Sequence, residues 1–244
     1  MELAGPNVFA QRPYDIRFEW GESGLRALAA EAKVVVVVDV LSFSTCVAIA
    51  CARGATILPH PWKGERVAEY AHQRGALVAE PRHAITGYSL SPASLTRIPP
   101  ATRLVLPSPN GSSLCLAASE AGTVLAGGLR NAAAVAACAN AVGGPIAVIA
   151  AGERWDDGSL RPGLEDLLGA GAIMARLRGT ASPEGEAAVA AYERVAARLH
   201  EAIRDCASGQ ELVRRGFEQD VSLAAELDAD PVAPVLQDQE FRGA

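Results

Sequence analysis

Residues 34–45 read VVVVVDVLSFST: five valines run into Asp39, and Ser42, Ser44 and Thr45 come next. A valine run of this kind suits a strand covered on both faces. A carboxylate at its end needs a partner, because burying even a neutral polar group unpaired costs roughly 2–7 kcal/mol. The three hydroxyls beyond it are either helix caps or donors to a ligand.

Beyond this stretch, short apolar runs alternate with Ala-rich segments of helical length. Such alternation is the signature of βαβ units. The expected fold is therefore α/β, a three-layer α/β/α sandwich with a largely parallel sheet. The reading is one domain over 1–244, with a helical C-terminal portion from about 181. Expected strands are 34–39, 55–60, 76–80, 103–106, 123–126 and 145–150. Expected helices are 44–53, 64–74, 112–120, 131–141 and 164–178, a block from Pro183 to about Cys206, and another near 211–228. YDIRFEW is expected to add an edge strand before a helix over 22–31. ADPVAPVL, with two prolines, is expected to pair only at an edge or to pack as extended chain.

Composition narrows the function classes. The 244 residues are half hydrophobic and carry a net charge of -6 without a basic block. Neither feature suits a tracker of nucleic-acid backbone. No apolar run reaches membrane-spanning length, and the N-terminus lacks the basic start and apolar core of a secretory signal. A cytoplasmic protein without nucleic-acid or membrane partners is the expectation. The five cysteines have no CxxC spacing and the four histidines lie far apart, so a zinc site is not expected. The Ala-rich helices leave pairing into a homo-oligomer open.

In open α/β sheets, ligands bind outside the carboxyl ends of the strands. The residues just past each expected strand are therefore informative. After 34–39 come Asp39, Ser42, Ser44 and Thr45. After 76–80 come Glu80 and Arg82, and after 103–106 comes PSPNGSS with Asn110, Gly111 and Ser112. After 123–126 comes AGGLRN with Asn131, and after 145–150 comes AGERWDDGSLRPGLED with Glu165 and Asp166. Ser42, Asn110 and Asn131 are also natural helix caps. Glu165-Asp166 reads equally as a favourable charge at a helix start or as oxygen ligands that join Asp39 around Mg2+. Glu80 and Arg82 read as a surface ion pair or as site residues. The GAGA run at 169–172 lies within a helix and reads as close helix packing.

Several phosphoryl-transfer patterns fail on spacing. Cys46 and Arg53 stand one residue too far apart for a Cys-based phosphatase loop. Leu41 occupies the place of the second aspartate of a haloacid-dehalogenase site, and no GxxxxGK[ST] loop is present.

The ordered blocks VVVVVDVLSFST, LVAEPR, PSPNGSS, AGGLRNAAAVA and AG…LEDLLGAGAI resemble those of the 2-phosphosulfolactate phosphatase family, from about Val34 to Leu236. The resemblance implies a Mg2+-dependent hydrolase of a small phosphorylated acid. Mg2+ would sit on Asp39, Glu165 and Asp166, with Asp39, Glu80 and Glu165 as catalytic groups. Ser42, Ser44, Thr45, Arg82, Asn110, Gly111, Ser112 and Asn131 would bind substrate. Two departures stand out: Ser42 replaces an Arg expected after Asp-Val-Leu, and GYSLSPASL at 87–95 lacks an acid and an Asn of the family pattern. Serine cannot replace the charge of a bidentate arginine, so the cation would come from Arg82, Arg130 or Arg154. The alternative reading is a homologue that binds a small anion without turning it over.

Overall fold

The computed structural model describes residues 7–61, 66–84 and 86–244. The strands are β1 (Ile16–Trp20), β2 (Val34–Val38), β3 (Thr56–Pro61), β4 (Leu77–Val78), β5 (Arg103–Ser108), β6 (Thr123–Gly127), β7 (Ile146–Ala150), β8 (Glu153–Arg154), β9 (Leu160–Arg161), β10 (Pro234–Gln237) and β11 (Glu240–Gly243). The α-helices are α1 (Gly21–Leu28), α2 (Phe43–Ala52), α3 (Val67–Gln73), α4 (Pro92–Leu95), α5 (Gly111–Ala117), α6 (Ala132–Val142), α7 (Leu164–Met174), α8 (Pro183–Val195), α9 (Leu199–Asp205), α10 (Ala207–Arg214) and α11 (Glu218–Ala224). Of the expected 64–74 helix, positions 64 and 65 lie outside the described residues.

The valine run forms the centre of the larger half of the fold. β2 is fully buried and pairs in parallel with β6 on one side and β7 on the other. Side chains alternate across a strand. Val34, Val36 and Val38 accordingly enter one core with residues of α6, α7 and α8, while Val35 and Val37 enter a second with Phe43, Cys46 and Val47 of α2. Helices thus cover both faces of the sheet, as the sequence implies. The GAGA segment lies in α7, and a Cβ at Gly171 would collide with the Ala188 carbonyl of α8, which accounts for the small residue there.

Among the described residues, nine strands form one mostly parallel sheet in the order β1-β7-β2-β6-β10-β11-β3-β5-β4. β1 is the expected edge strand. The proline-containing tail is a correction: β10 lies in the middle of the sheet, antiparallel to β6, with β11 as its hairpin partner. Pro234 is tolerated because it occupies the first position of the strand, while Val235 and Leu236 pair with Leu125 and Val124. β11 in turn meets β3 antiparallel at Phe241 and Ile57.

The hairpin therefore joins two parallel blocks, β1-β7-β2-β6 and β3-β5-β4. Ile57, Leu104, Leu106 and Phe241 share the α2 core with Val35 and Val37, so both blocks close over α2. α3 covers the outer face of the smaller block through Ala71, against Leu58 and Val105. Glu240 reinforces the joint by pairing with Arg103 of β5 and with Arg74.

Boundaries shift where local chemistry decides them. The 183–206 block breaks into α8, a 3-10 turn and α9, and the 164–178 helix ends at Met174. β4 is only two residues long, and α4, the β8–β9 hairpin and β11 carry too little periodicity to be read from sequence.

Phe241 is fully buried and packs edge-on against Phe43, with ring centroids 6.2 Å apart. Phe241→Ala is expected to lower unfolding free energy by about 3–5 kcal/mol, read as a shifted midpoint in denaturant titration.

Candidate active site

The register β2–β6 and β2–β7 sets Val38 beside Gly127 and Ala150, so the carboxyl ends of three strands leave the sheet together. The first group delivered there is Asp39, 6 % exposed. Its Oδ1 accepts the Phe43 amide at 3.1 Å, and its Oδ2 accepts the Gly111 amide at 2.9 Å. Asp39 thereby ties the exit of β2 to the start of α5, which follows β5 of the other block. A Cβ at Gly111 would strike Phe43 and approach Asp39 Oδ2 to 2.7 Å, which explains why that position is glycine.

Asp166, at the start of α7, makes a second clamp. Its Oδ1 accepts the Val40 amide at 2.7 Å and its Oδ2 the Gly152 amide at 2.8 Å. Glu165 is also buried, and Oε2 accepts the Cys206 thiol at 3.4 Å. Burial, with Glu165 adding to it, pushes that thiol up to about 12, so it stays protonated and serves as a donor.

Glu153 is not among the residues expected from sequence. It follows β7 by three residues, lines the same cavity as Asp39, and accepts Asn110 Nδ2 at 3.1 Å. Burial raises its carboxyl to about 7, with the negative charges of Asp39 and Glu165 adding to the effect; Arg161 and the Asn110 bond oppose it. Burial likewise raises Asp39 and Asp166, and each is raised further by Glu165. Four neighbouring carboxylates thus carry more negative charge than the surrounding chain offsets.

The cationic side of the cavity comes from a different segment. Arg82 donates through Nη2 to Ser42 Oγ at 3.0 Å and through Nη1 to Asp220 Oδ2 at 2.9 Å. Asp220 is 1 % exposed, and its Oδ1 also accepts Ser91 Oγ at 2.6 Å and the Ala93 amide at 2.9 Å. The Phe217 ring lies under both Arg82 and Arg215, with its centroid 5.4 and 5.9 Å from the two guanidinium carbons. Arg82 therefore brings a guanidinium to the hydroxyl of the very position where the resemblance leads one to expect arginine. Arg130 does not: it is committed to Asp230, Glu226 and the Leu223 carbonyl. Arg154 bonds the Gly158 carbonyl.

These groups surround a cavity of about 160 Å3 lined by Asp39, Ser42, Arg82, Asn110, Glu153 and Arg215 among others. Several expected contacts are corrected by geometry. Ser44 Oγ accepts the Asp39 amide and donates to the Val37 carbonyl, and Thr45 Oγ1 donates to the Val40 carbonyl. Ser112 Oγ donates to Leu106 O, and Asn131 closes its own turn through Gly128 and Ala126. All four are buried and serve the backbone instead of a ligand. The Gly111 amide is taken by Asp39. Glu80 is exposed and does not line the cavity. Asp166 uses both oxygens on amides, as Asp39 does, and so serves as a loop clamp. Glu153 and Asp220 carried no motif; a carboxylate just past a strand end was the available signal for Glu153, and Asp220 had none.

The donor chemistry fits Mg2+, which prefers hard oxygen ligands. Among the described residues, however, no three His, Cys, Asp or Glu stand in a ready-made ligand set. No helix of the described residues is long and apolar enough to cross a membrane.

No curated protein matches the chain. A family model described as 2-phosphosulpholactate phosphatase matches residues 24–239, nearly the whole length. The chain, with its mostly parallel sheet and its carboxylates gathered at the strand ends, belongs to the 2-phosphosulpholactate phosphatase family.

Proposed function

We propose that the protein hydrolyses a small phosphomonoester in the cavity between Asp39 and Arg82, in the cytoplasm and with Mg2+ as cofactor. The observation that carries this reading is the pairing of Arg82 with Ser42 in the cavity that Asp39 and Glu153 also line. A guanidinium offers paired N–H groups to phosphoryl oxygens. The Asp220 carboxylate and the Phe217 face hold that guanidinium in place before substrate arrives, so little ordering is left to binding. Ser42 adds a hydroxyl, and Arg215 adds charge to the cavity wall.

Glu153 supplies the acid. A carboxyl lifted to about 7 keeps a proton near neutral pH, and a group with its pKa near working pH is an efficient proton donor. As the bond from phosphorus to the leaving oxygen breaks, the Glu153 proton passes to that oxygen. Asn110 keeps the carboxyl aimed by its hydrogen bond. Asp39 and Glu165 would hold Mg2+, and Asp166 would keep the Asp39 and Glu153 loops in register. Bound there, Mg2+ would offset charge on the phosphoryl oxygens and activate water.

A second reading, an anion-binding homologue without turnover, is favoured by the commitment of both Asp39 oxygens to amides. A phosphomonoester panel with and without Mg2+ separates the two readings. Turnover that requires Mg2+ and is lost in Asp39→Asn supports the first. Phosphate binding without turnover of any panel member supports the second.

Arg82→Ala should raise KM for a hydrolysed ester roughly 10- to 100-fold, the loss of one charged hydrogen-bonding partner. Arg82→Lys should recover part of it, and initial-rate kinetics decide both. For Glu153, the rate of the Mg2+-loaded enzyme should fall as pH rises through a value below about 7, because the acid form does the work and Mg2+ on Asp39 and Glu165 would offset the charges that help raise it; Glu153→Gln should abolish that limb along with most of the rate. The folded-state pKa lies above the unfolded value, so the carboxyl costs stability once pH passes the unfolded value near 4.5 and the full cost is present above about 7. In chelator, Glu153→Gln should therefore melt above wild type at pH 8, with the gap closing toward pH 4. Calorimetry at the two pH values checks the sign.

A further inference from the structure

A second and larger cavity, about 470 Å3, adjoins the first. The two share Pro109, Asn110 and Glu153, so the hydrogen bond from Asn110 to Glu153 stands in the partition between them. The larger one is walled by Trp20, Leu114, Leu116 and Leu160, with Arg26 and Arg154 also lining it. Arg26 is matched by Glu22 at 3.3 Å and Arg154 bonds the Gly158 carbonyl. The Trp20 ring is braced edge-on by Phe18, with centroids 5.6 Å apart.

Resting on the phosphatase reading above, we propose that this lobe receives the leaving group of the substrate, and that the leaving group has an apolar, ring-sized body. The size of the two lobes makes the argument. Small-molecule sites commonly run about 300–1,000 Å3 and are lined mostly by apolar side chains with few polar ones. The larger lobe has that volume and an apolar wall in Trp20, Leu114, Leu116 and Leu160, beside polar groups that include Glu22, Ser23, Ser113 and the two arginines, and the 160 Å3 lobe falls below that range. A phosphoryl group on Arg82 and Ser42 occupies the small lobe. The ester oxygen then lies at the partition, beside the Glu153 carboxyl that protonates it, and whatever that oxygen carries projects past Asn110. A short acid would leave the open faces of Trp20 and Leu160 in water; an aryl body would cover them. Glu153 borders both lobes, as the donor to a leaving oxygen between them must.

Binding tests the lobe without depending on turnover. Calorimetric affinities for naphthylmethylphosphonate and methylphosphonate, both non-hydrolysable, compare a ligand with a ring body to one without. The wild type should bind the naphthyl ligand at least about tenfold tighter. Ala117→Trp and Ser23→Trp place bulk at exposed positions on two walls of the larger lobe, and each should bring the ratio of affinities close to one. Two variants guard against a single misfolded protein. Equal affinities in the wild type, no binding of the naphthyl ligand, or a ratio that survives both substitutions would overturn the lobe assignment. Hydrolysis of naphthyl phosphate is scored separately. A selective lobe without hydrolysis of any ester keeps the ring-binding lobe but refutes the phosphatase reading and, with it, the leaving-group role, whereas hydrolysis of short esters with a ratio near one keeps the phosphatase reading and overturns the lobe.

Discussion

The Asp166 carboxylate, accepting the Val40 and Gly152 amides on its two oxygens, holds the site together. It pins the loops leaving β2 and β7 to the first turn of α7. Those loops carry Asp39 and Glu153, and the same turn carries Glu165. Removing a carboxylate from water is costly unless hydrogen bonds replace the solvent. Here backbone amides do so for Asp166 and again for Asp39. The cost is not fully offset, and the raised values of Asp39, Glu153 and Asp166 express the remainder.

That imbalance ties stability to chemistry. Groups of like charge in a partly dry cavity hold protons that exposed carboxyls would release, and such perturbed groups tend to cluster at functional sites. The cationic wall is built independently, by Asp220 and Phe217 from the C-terminal helices holding Arg82 from the loop after β4. Positive and negative walls therefore reach the cavity from different parts of the chain. The site assembles only when α11 packs beside α4, where Asp220 meets Ser91 and Ala93.

The hairpin of β10 and β11 performs the corresponding service for the fold. Two parallel blocks each have the βαβ pattern that the sequence displays, yet neither would place Gly111 beside Asp39 alone. The hairpin joins them, Phe241 fills the space beside Phe43, and the two blocks close over α2. Proline suggested an edge for this segment. It proved central because the constraint bears on one missing N–H, and Pro234 sits at the first strand position, where its loss is tolerated.

Residue order alone was enough for the α/β class, the parallel pairing around the valine run and the delivery of Asp39 to a strand end. Each of these comes from local hydrophobic period and from the cost of a buried charge. The absent arginine at Ser42 was legible only against the family resemblance, which implies an arginine at that position. Folding in three dimensions was needed to show that Arg82 reaches Ser42 from forty residues away, that Ser44, Thr45, Ser112 and Asn131 serve the backbone, and that Glu153 and not Glu80 faces the cavity. A polar side chain can satisfy either the chain or a ligand with similar energy. Which one it does depends on the groups that folding brings within about 3 Å, and sequence spacing carries no record of those distances.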